Sequence, residues 1–187
     1  MGDLLKMNGI YVKTLLYAYP NISAVVEQID ELVEKKALAS MMDFSPCDKQ
    51  CERILGLTGQ KIKLGYLKSL ISGLLSKFSL CELDCLDYKY FKKKPKEYYE
   101  DFDFSSRAYF RKQNAIVKRL GVLLDKKGLT DETFEKEVIT ISFMKELTKR
   151  VIEQEKLSIK NKPKYKKASC LQTEAKASVN SKITKTA

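Results

Sequence analysis

A strongly basic segment lies in the second half of the chain. Residues 105–120 contain five basic side chains and no acidic one. Arginine pairs with guanine, and asparagine with adenine, at base edges in the DNA major groove. In a helix, steps of three and four residues return to the same face. We therefore predict a DNA-binding face on a helix over these residues, with a merely solvated surface as the alternative. Its members are Ser106, Arg107, Phe110, Arg111, Asn114 and Lys118.

Two pairs of cysteines offer thiolates as metal ligands. Cys47 and Cys51 are four residues apart, and so are Cys81 and Cys85, so each pair can share one helix face. Four thiolates bind zinc or an iron–sulfur cluster. A continuous helix over 46–78 would hold its ends about 45–50 Å apart, so one site could not join the pairs. We expect small apolar cysteines and no metal.

The side chains of most enzyme active sites are missing or dispersed. Histidine is absent, which removes the commonest general base and any Ser–His or Cys–His nucleophile pair. Asp101 and Asp103, like Asp84 and Asp87, lie among lysines, where solvation is the simplest role for a carboxylate. No glycine-rich phosphate loop is present. We predict a protein that is not an enzyme and needs no cofactor.

Positive charge is concentrated at the C-terminal end. The chain carries a net charge of +11, and residues 156–187 contain nine lysines against one glutamate, a net of 9 − 1 = +8. The remainder carries 11 − 8 = +3. We predict that residues 158–187 form a disordered basic tail, which suits a polyanion such as DNA or RNA, although many basic tails have no specific partner.

The composition predicts helices. The 187 residues include only eight Gly and four Pro, too few for a turn-rich β-sandwich. The apolar segment 10–19 contains Lys13 and is followed by Pro20, so we expect neither a signal peptide nor a membrane span. Five cysteines, an odd number, favour reduced thiols and a cytoplasmic location.

The first half reads as a helical hairpin. A short helix over 10–18 should stop at Pro20. A second helix, capped by Ser23, should run to about Met42. A third helix over 46–78 carries a heptad-like apolar seam, and a break in it is possible near Gly56–Gly59. The third overhangs the second, so either this chain or a second copy must cover four apolar residues: Leu67, Ile71, Leu74 and Phe78.

The second half predicts a helix-turn-helix layout. Ser79 and Glu82 form a capping box that opens a helix to about Phe91. A short helix over 96–102, a turn over 103–105 and a long helix over 106–126 ended by Gly128 follow. Two closing helices follow: Thr130 should cap one over Asp131–Val138, and Ser142 should cap one from Phe143 to about Leu157. In DNA-binding proteins of this layout, the N-terminal part of the second helix enters the major groove.

Residues 97–111 read EYYEDFDFSSRAYFR. This run resembles the helix-turn-helix of phage-type transcriptional regulators of the ArpU kind, and it is similar to region 4 of sigma-70-type sigma factors. The likeness covers residues 79–125, with the serine-led start of the long helix and the late apolar residues Ile116 and Val117. It implies double-stranded DNA as the partner, RNA polymerase as a second one, and a phage or mobile-element origin.

The sequence therefore predicts an all-α protein in three regions. Residues 1–78 form the N-terminal helical hairpin, residues 79–157 the helix-turn-helix module with its closing helices, and residues 158–187 the disordered tail. The predicted function is sequence-specific DNA binding in transcriptional regulation, in the cytoplasm and without membrane association, with a homodimer left open. The alternative is a non-enzymatic helical adaptor that pairs through its coiled-coil-like hairpin.

Overall fold

The computed structural model describes residues 8–40, 46–92 and 106–160. Within these ranges the chain is helical with short turns and has no strand, so the predicted all-α class is confirmed. The helices are α1 (Gly9–Ala18), α2 (Ile22–Ser40), α3 (Cys47–Leu75), α4 (Leu80–Leu86), α5 (Ser106–Lys126), α6 (Asp131–Thr133) and α7 (Ser142–Lys160).

Pro20 comes two residues after α1, which ends at Ala18 as predicted. It lies in a 3-10 turn, Tyr19–Asn21, and the flanking residues Ala18 and Ile22 keep right-handed helical backbone angles. Proline is tolerated in the first turn of a helix because its missing N–H has no partner there. α2 therefore starts at Ile22, and the predicted cap at Ser23 is wrong. The Ser23 hydroxyl instead accepts a 2.6 Å hydrogen bond from Lys68 Nζ.

Helices α2 and α3 run antiparallel. Asp30 pairs with Lys61 at 2.7 Å, and Ser23 with Lys68, so positions later in α3 face positions earlier in α2. α3 is continuous through Gly56–Gly59, so the break weighed there is absent. The predicted turn before α3 lies outside the described residues. The helix ends at Leu75, earlier than the predicted Phe78.

The four apolar residues of the α3 overhang are buried by the chain itself. Leu67, Ile71, Leu74 and Phe78 are each at most 6% exposed. They share one core with residues of other helices, among them Leu15 of α1, Leu86 of α4, Leu120 of α5 and Met144 of α7. A second copy is therefore not needed to cover these four side chains.

Local capping bounds the later helices. Ser79 and Glu82 form the predicted capping box, and Thr130 caps α6 by accepting a hydrogen bond from the Thr133 N–H. α4 continues as a π-helical turn, Asp87–Phe91, and α6 continues as another, Phe134–Val138. These continuations match the predicted ends near Phe91 and Val138.

Helix α5 ends at Lys126, followed by Gly128 with φ of +85°. The Leu129 N–H donates to the Leu124 carbonyl at 3.1 Å, which closes the turn as in a Schellman-type helix end. α7 begins at Ser142 itself, so the predicted cap there is wrong, and it extends to Lys160 rather than ending near Leu157. The predicted helix over 96–102, the turn over 103–105 and the tail beyond 160 lie outside the described residues.

Candidate nucleic-acid interface

One face of helix α5 belongs to the core. Ile116, Val117, Leu120 and Leu124 are each at most 5% exposed, and the helix packs against α1, α3 and α4. Gln113 is 2% exposed on this same side. The buried face fixes the rotation of α5 about its axis, so it also determines which side chains point to solvent.

The opposite face carries most of the residues that the sequence singled out. α5 begins at Ser106, and Arg107, Phe110, Arg111, Asn114 and Lys118 are all exposed. At 3.6 residues per turn, Arg107, Arg111, Asn114 and Lys118 fall within about 60° around the helix axis. We call these four side chains the outward α5 face.

The outward α5 face is free of internal polar contacts in the part of the chain that the structure describes. Arg107, Arg111 and Lys118 form no ion pair there. No acidic residue occurs in α5 before Asp125, which lies two turns beyond Lys118 on the same side. Among the described residues, no acidic side chain neutralises the positive charge of this face over residues 107–118.

The two other basic residues of the segment are used internally. Arg119 Nη1 lies 3.2 Å from Glu82 Oε1, and the guanidinium also stacks over the Phe78 ring at 4.8 Å. Lys112 Nζ donates to Cys81 Sγ at 2.9 Å. The count of five basic residues therefore overstates the charge that α5 presents outward.

The pKa directions at this contact follow from its hydrogen bonds. The pKa of Glu82 is lowered, chiefly because its carboxylate accepts a hydrogen bond from the Ser79 backbone N–H, with Arg119 and Lys112 adding to the effect. The pKa of Lys112 is raised, chiefly by its hydrogen bond to Cys81. Both shifts mean that the contacts between α4 and α5 favour the charged forms of Glu82 and Lys112.

An aromatic contact holds the N-terminal half of α5. The Tyr109 hydroxyl donates to the Cys85 carbonyl oxygen at 3.2 Å, and its ring meets Tyr88 edge-on, with ring centroids 5.5 Å apart. Phe110 also contacts the Tyr109 ring edge-on, with ring centroids 5.5 Å apart, but stays 54% exposed. The aromatic stretch is thus divided between core and surface, with Tyr90 buried and Tyr88 exposed.

The cysteine pairs differ in environment. Cys47 and Cys51 are both exposed, with Sγ atoms 4.0 Å apart, whereas Cys85 is buried and Cys81 contacts Lys112. Among residues 8–40, 46–92 and 106–160, no three cysteine or acidic residues are grouped to hold a metal ion.

Sequence reasoning missed an exposed apolar face on α3. Leu55, Ile62 and Tyr66 are 68%, 67% and 60% exposed, although Leu64 and Ile71 of the same helix are fully buried. Steps of four residues from Cys47 through Cys51 to Leu55 are visible in the sequence and are the signal that would have found it.

The comparisons with known proteins supply no relative. No protein-family model, curated protein or solved structure matches this chain. In the described ranges, no helix has both the length and the apolar character needed to cross a lipid bilayer.

Proposed function

We propose that this protein is a sequence-specific DNA-binding transcriptional regulator that reads the major groove with the outward α5 face. The observation that carries the proposal is the grouping of Arg107, Arg111, Asn114 and Lys118 on one exposed face without an acid. An α-helix fits the major groove, which is about 12 Å wide. From Arg107 to Lys118 the helix rises about 16 Å, close to the length of five base pairs.

Each side chain has a role that its chemistry suits. The guanidinium groups of Arg107 and Arg111 can pair with guanine, and the Asn114 amide can pair with adenine. Lys118 can contact a phosphate, and Phe110 can offer an apolar contact to a thymine methyl group. The resemblance to phage-type regulators and to sigma region 4 supports the same function, a phage or mobile-element origin, and RNA polymerase as a second partner.

A selection experiment tests the proposal. The full chain is incubated with random double-stranded DNA, bound DNA is recovered through several rounds, and the enriched sequences are determined. We expect one motif to be enriched and an Arg107→Ala/Arg111→Ala variant to lose that motif while keeping its helical circular dichroism. If the wild-type chain enriches no sequence, the regulator function fails.

A helical adaptor is the second candidate. The exposed Leu55, Ile62 and Tyr66 favour it, because neighbouring exposed apolar side chains mark interaction surfaces. If DNA selection fails while Ile62→Glu/Tyr66→Glu abolishes self-association of the chain, the adaptor function replaces the regulator.

A further inference from the structure

The exposed thiols of Cys47 and Cys51 have the separation of two ligands on one tetrahedral metal. Their Sγ atoms lie 4.0 Å apart. Zinc binds thiolates at about 2.3 Å in a tetrahedron, so two sulfurs on one zinc ion are about 3.8 Å apart. A shift of a few tenths of an ångström, within the reach of exposed side chains, therefore brings both sulfurs to one ion.

The described residues of one chain offer only half of such a site. No further cysteine or acidic side chain in the described ranges groups with this pair to hold a metal. Structural zinc sites have four protein ligands. Two further ligands are needed to complete the tetrahedron, and a second copy of this chain carries an identical exposed pair.

The same side of α3 has the character of an interface between copies. Leu55, Ile62 and Tyr66 continue from the cysteine pair in steps of four and seven residues, so all five side chains share one side of the helix. This side lies opposite the buried Leu64 and Ile71. Ile62 and Tyr66 also border a groove of about 440 Å³, whose far wall includes Leu129 and Val138 and which side chains of a second copy can enter.

We propose that Cys47 and Cys51 form half of a tetrathiolate zinc site, completed by the same two residues of a second copy packed alongside α3. The two α3 helices run parallel, which brings both cysteine pairs to the same end. The paired apolar sides then meet along the rest of the contact. This dimer is independent of the DNA-binding function proposed above.

Zinc binding changes the protonation of the site in a defined way. One zinc ion replaces four thiol protons, two from each chain, because thiolate is the form that binds the metal. Dimerisation by zinc is therefore expected to weaken as the pH falls.

The test uses the full chain, reduced and freed of metal, with zinc or cobalt as the added ion. We expect sedimentation to show a monomer that becomes a dimer on zinc addition, with one zinc ion per two chains. Cobalt should give the intense visible bands and the near-ultraviolet charge-transfer bands of a tetrahedral tetrathiolate. Cys47→Ser/Cys51→Ser should lose the zinc-dependent dimer and the cobalt bands.

Two further variants sharpen the outcome. Cys81→Ser/Cys85→Ser changes a pair of equal spacing and should keep zinc binding and the dimer. Leu55→Glu/Ile62→Glu should weaken the zinc-linked dimer. The proposal is overturned if zinc does not bind, if it binds one per monomer, if the Cys47/Cys51 variant still binds it, or if a dimer forms only through a reducible disulfide.

Discussion

Arg119 of α5 and Glu82 of α4 form an ion pair at 3.2 Å, although 37 positions separate them in the chain. Glu82 is also the third residue of α4, where it forms the capping box with Ser79. One carboxylate thus serves a local helix cap and a long-range contact to the helix that carries the candidate interface.

This double role predicts that the free energy of unfolding depends on pH. The pKa of Glu82 is lowered in the folded chain. As the pH falls, Glu82 therefore takes up its proton at a higher pH in the unfolded chain than in the folded chain. The contribution of Glu82 to stability is present above its unfolded pKa and is lost as the pH falls through the lowered value. Between about pH 5 and pH 3, wild type should lose stability relative to Glu82→Gln.

Urea unfolding at several pH values measures this difference. At neutral pH we expect Glu82→Gln to cost about 0.5–1 kcal/mol, because the exposed ion pair and the charge at a helix start are each small effects. Glu132→Gln, which changes an exposed partner of Lys136, is the control. Its free energy of unfolding should depend on pH in the same way as that of wild type. Parallel curves for wild type and Glu82→Gln would contradict the assignment.

Two arginines of α5 should separate DNA binding from stability. Arg111→Ala should weaken binding to a selected operator by about 1–3 kcal/mol and leave unfolding within about 0.5 kcal/mol. Arg119→Ala should instead lower the free energy of unfolding by about 1 kcal/mol, because it removes the contacts with Glu82 and the Phe78 ring. Gel-shift titration and urea unfolding test both. Equal effects of the two variants on sequence preference would oppose the proposed interface.

Deleting residues 161–187 tests the basic tail without shortening α7. The deletion removes seven lysines and one glutamate, a net of 7 − 1 = +6. We expect weaker binding to all DNA sequences and a shallower salt dependence, with each lost phosphate contact changing the log–log slope by about 0.9. Binding measured from low to high salt on operator and random DNA gives the answer. A changed sequence preference with an unchanged slope would refute this role, and preferred loss of RNA binding would assign the tail to RNA.

Shortening a side chain should destabilise the fold on the buried side of α3 and have little effect on its exposed side. Leu74 is 2% exposed and Leu55 is 68% exposed. Leu74→Ala should cost about 2–5 kcal/mol through lost burial and a cavity, whereas Leu55→Ala should stay within about 0.5 kcal/mol in the monomer. Metal-free protein at low concentration keeps association out of the measurement. A large cost at Leu55 in the monomer would show that its side chain is part of the core.

Two glycine substitutions should have opposite signs. Gly128 has φ of +85°, so Gly128→Ala places a side chain in the left-handed region and should cost about 1–2 kcal/mol. Gly56 lies within α3 with open space where a Cβ would be, so Gly56→Ala should stabilise by about 0.5–1 kcal/mol. Thermal unfolding of both variants measures the signs. Destabilisation by Gly56→Ala would indicate that α3 is broken there after all.

The sequence alone determined the features that depend on neighbours within one or two helical turns. The capping box at Ser79, the cap at Thr130 and the end of α5 before Gly128 follow from such local hydrogen bonds and backbone preferences. The buried seam of α3 followed from its spacing. Ser23 was misassigned as a cap because the helical backbone continues through Pro20.

Only the tertiary structure decided how side chains on α5 and α3 are used. Lys112 and Arg119 look like their basic neighbours in the sequence, yet α4 engages both and leaves Arg107, Arg111 and Lys118 exposed. Likewise, Leu55 and Leu64 are the same residue type on one helix with opposite exposure. The physical reason is that burial and pairing depend on which helix packs against which face. That choice is made by contacts between residues far apart in the chain, which local propensity does not encode.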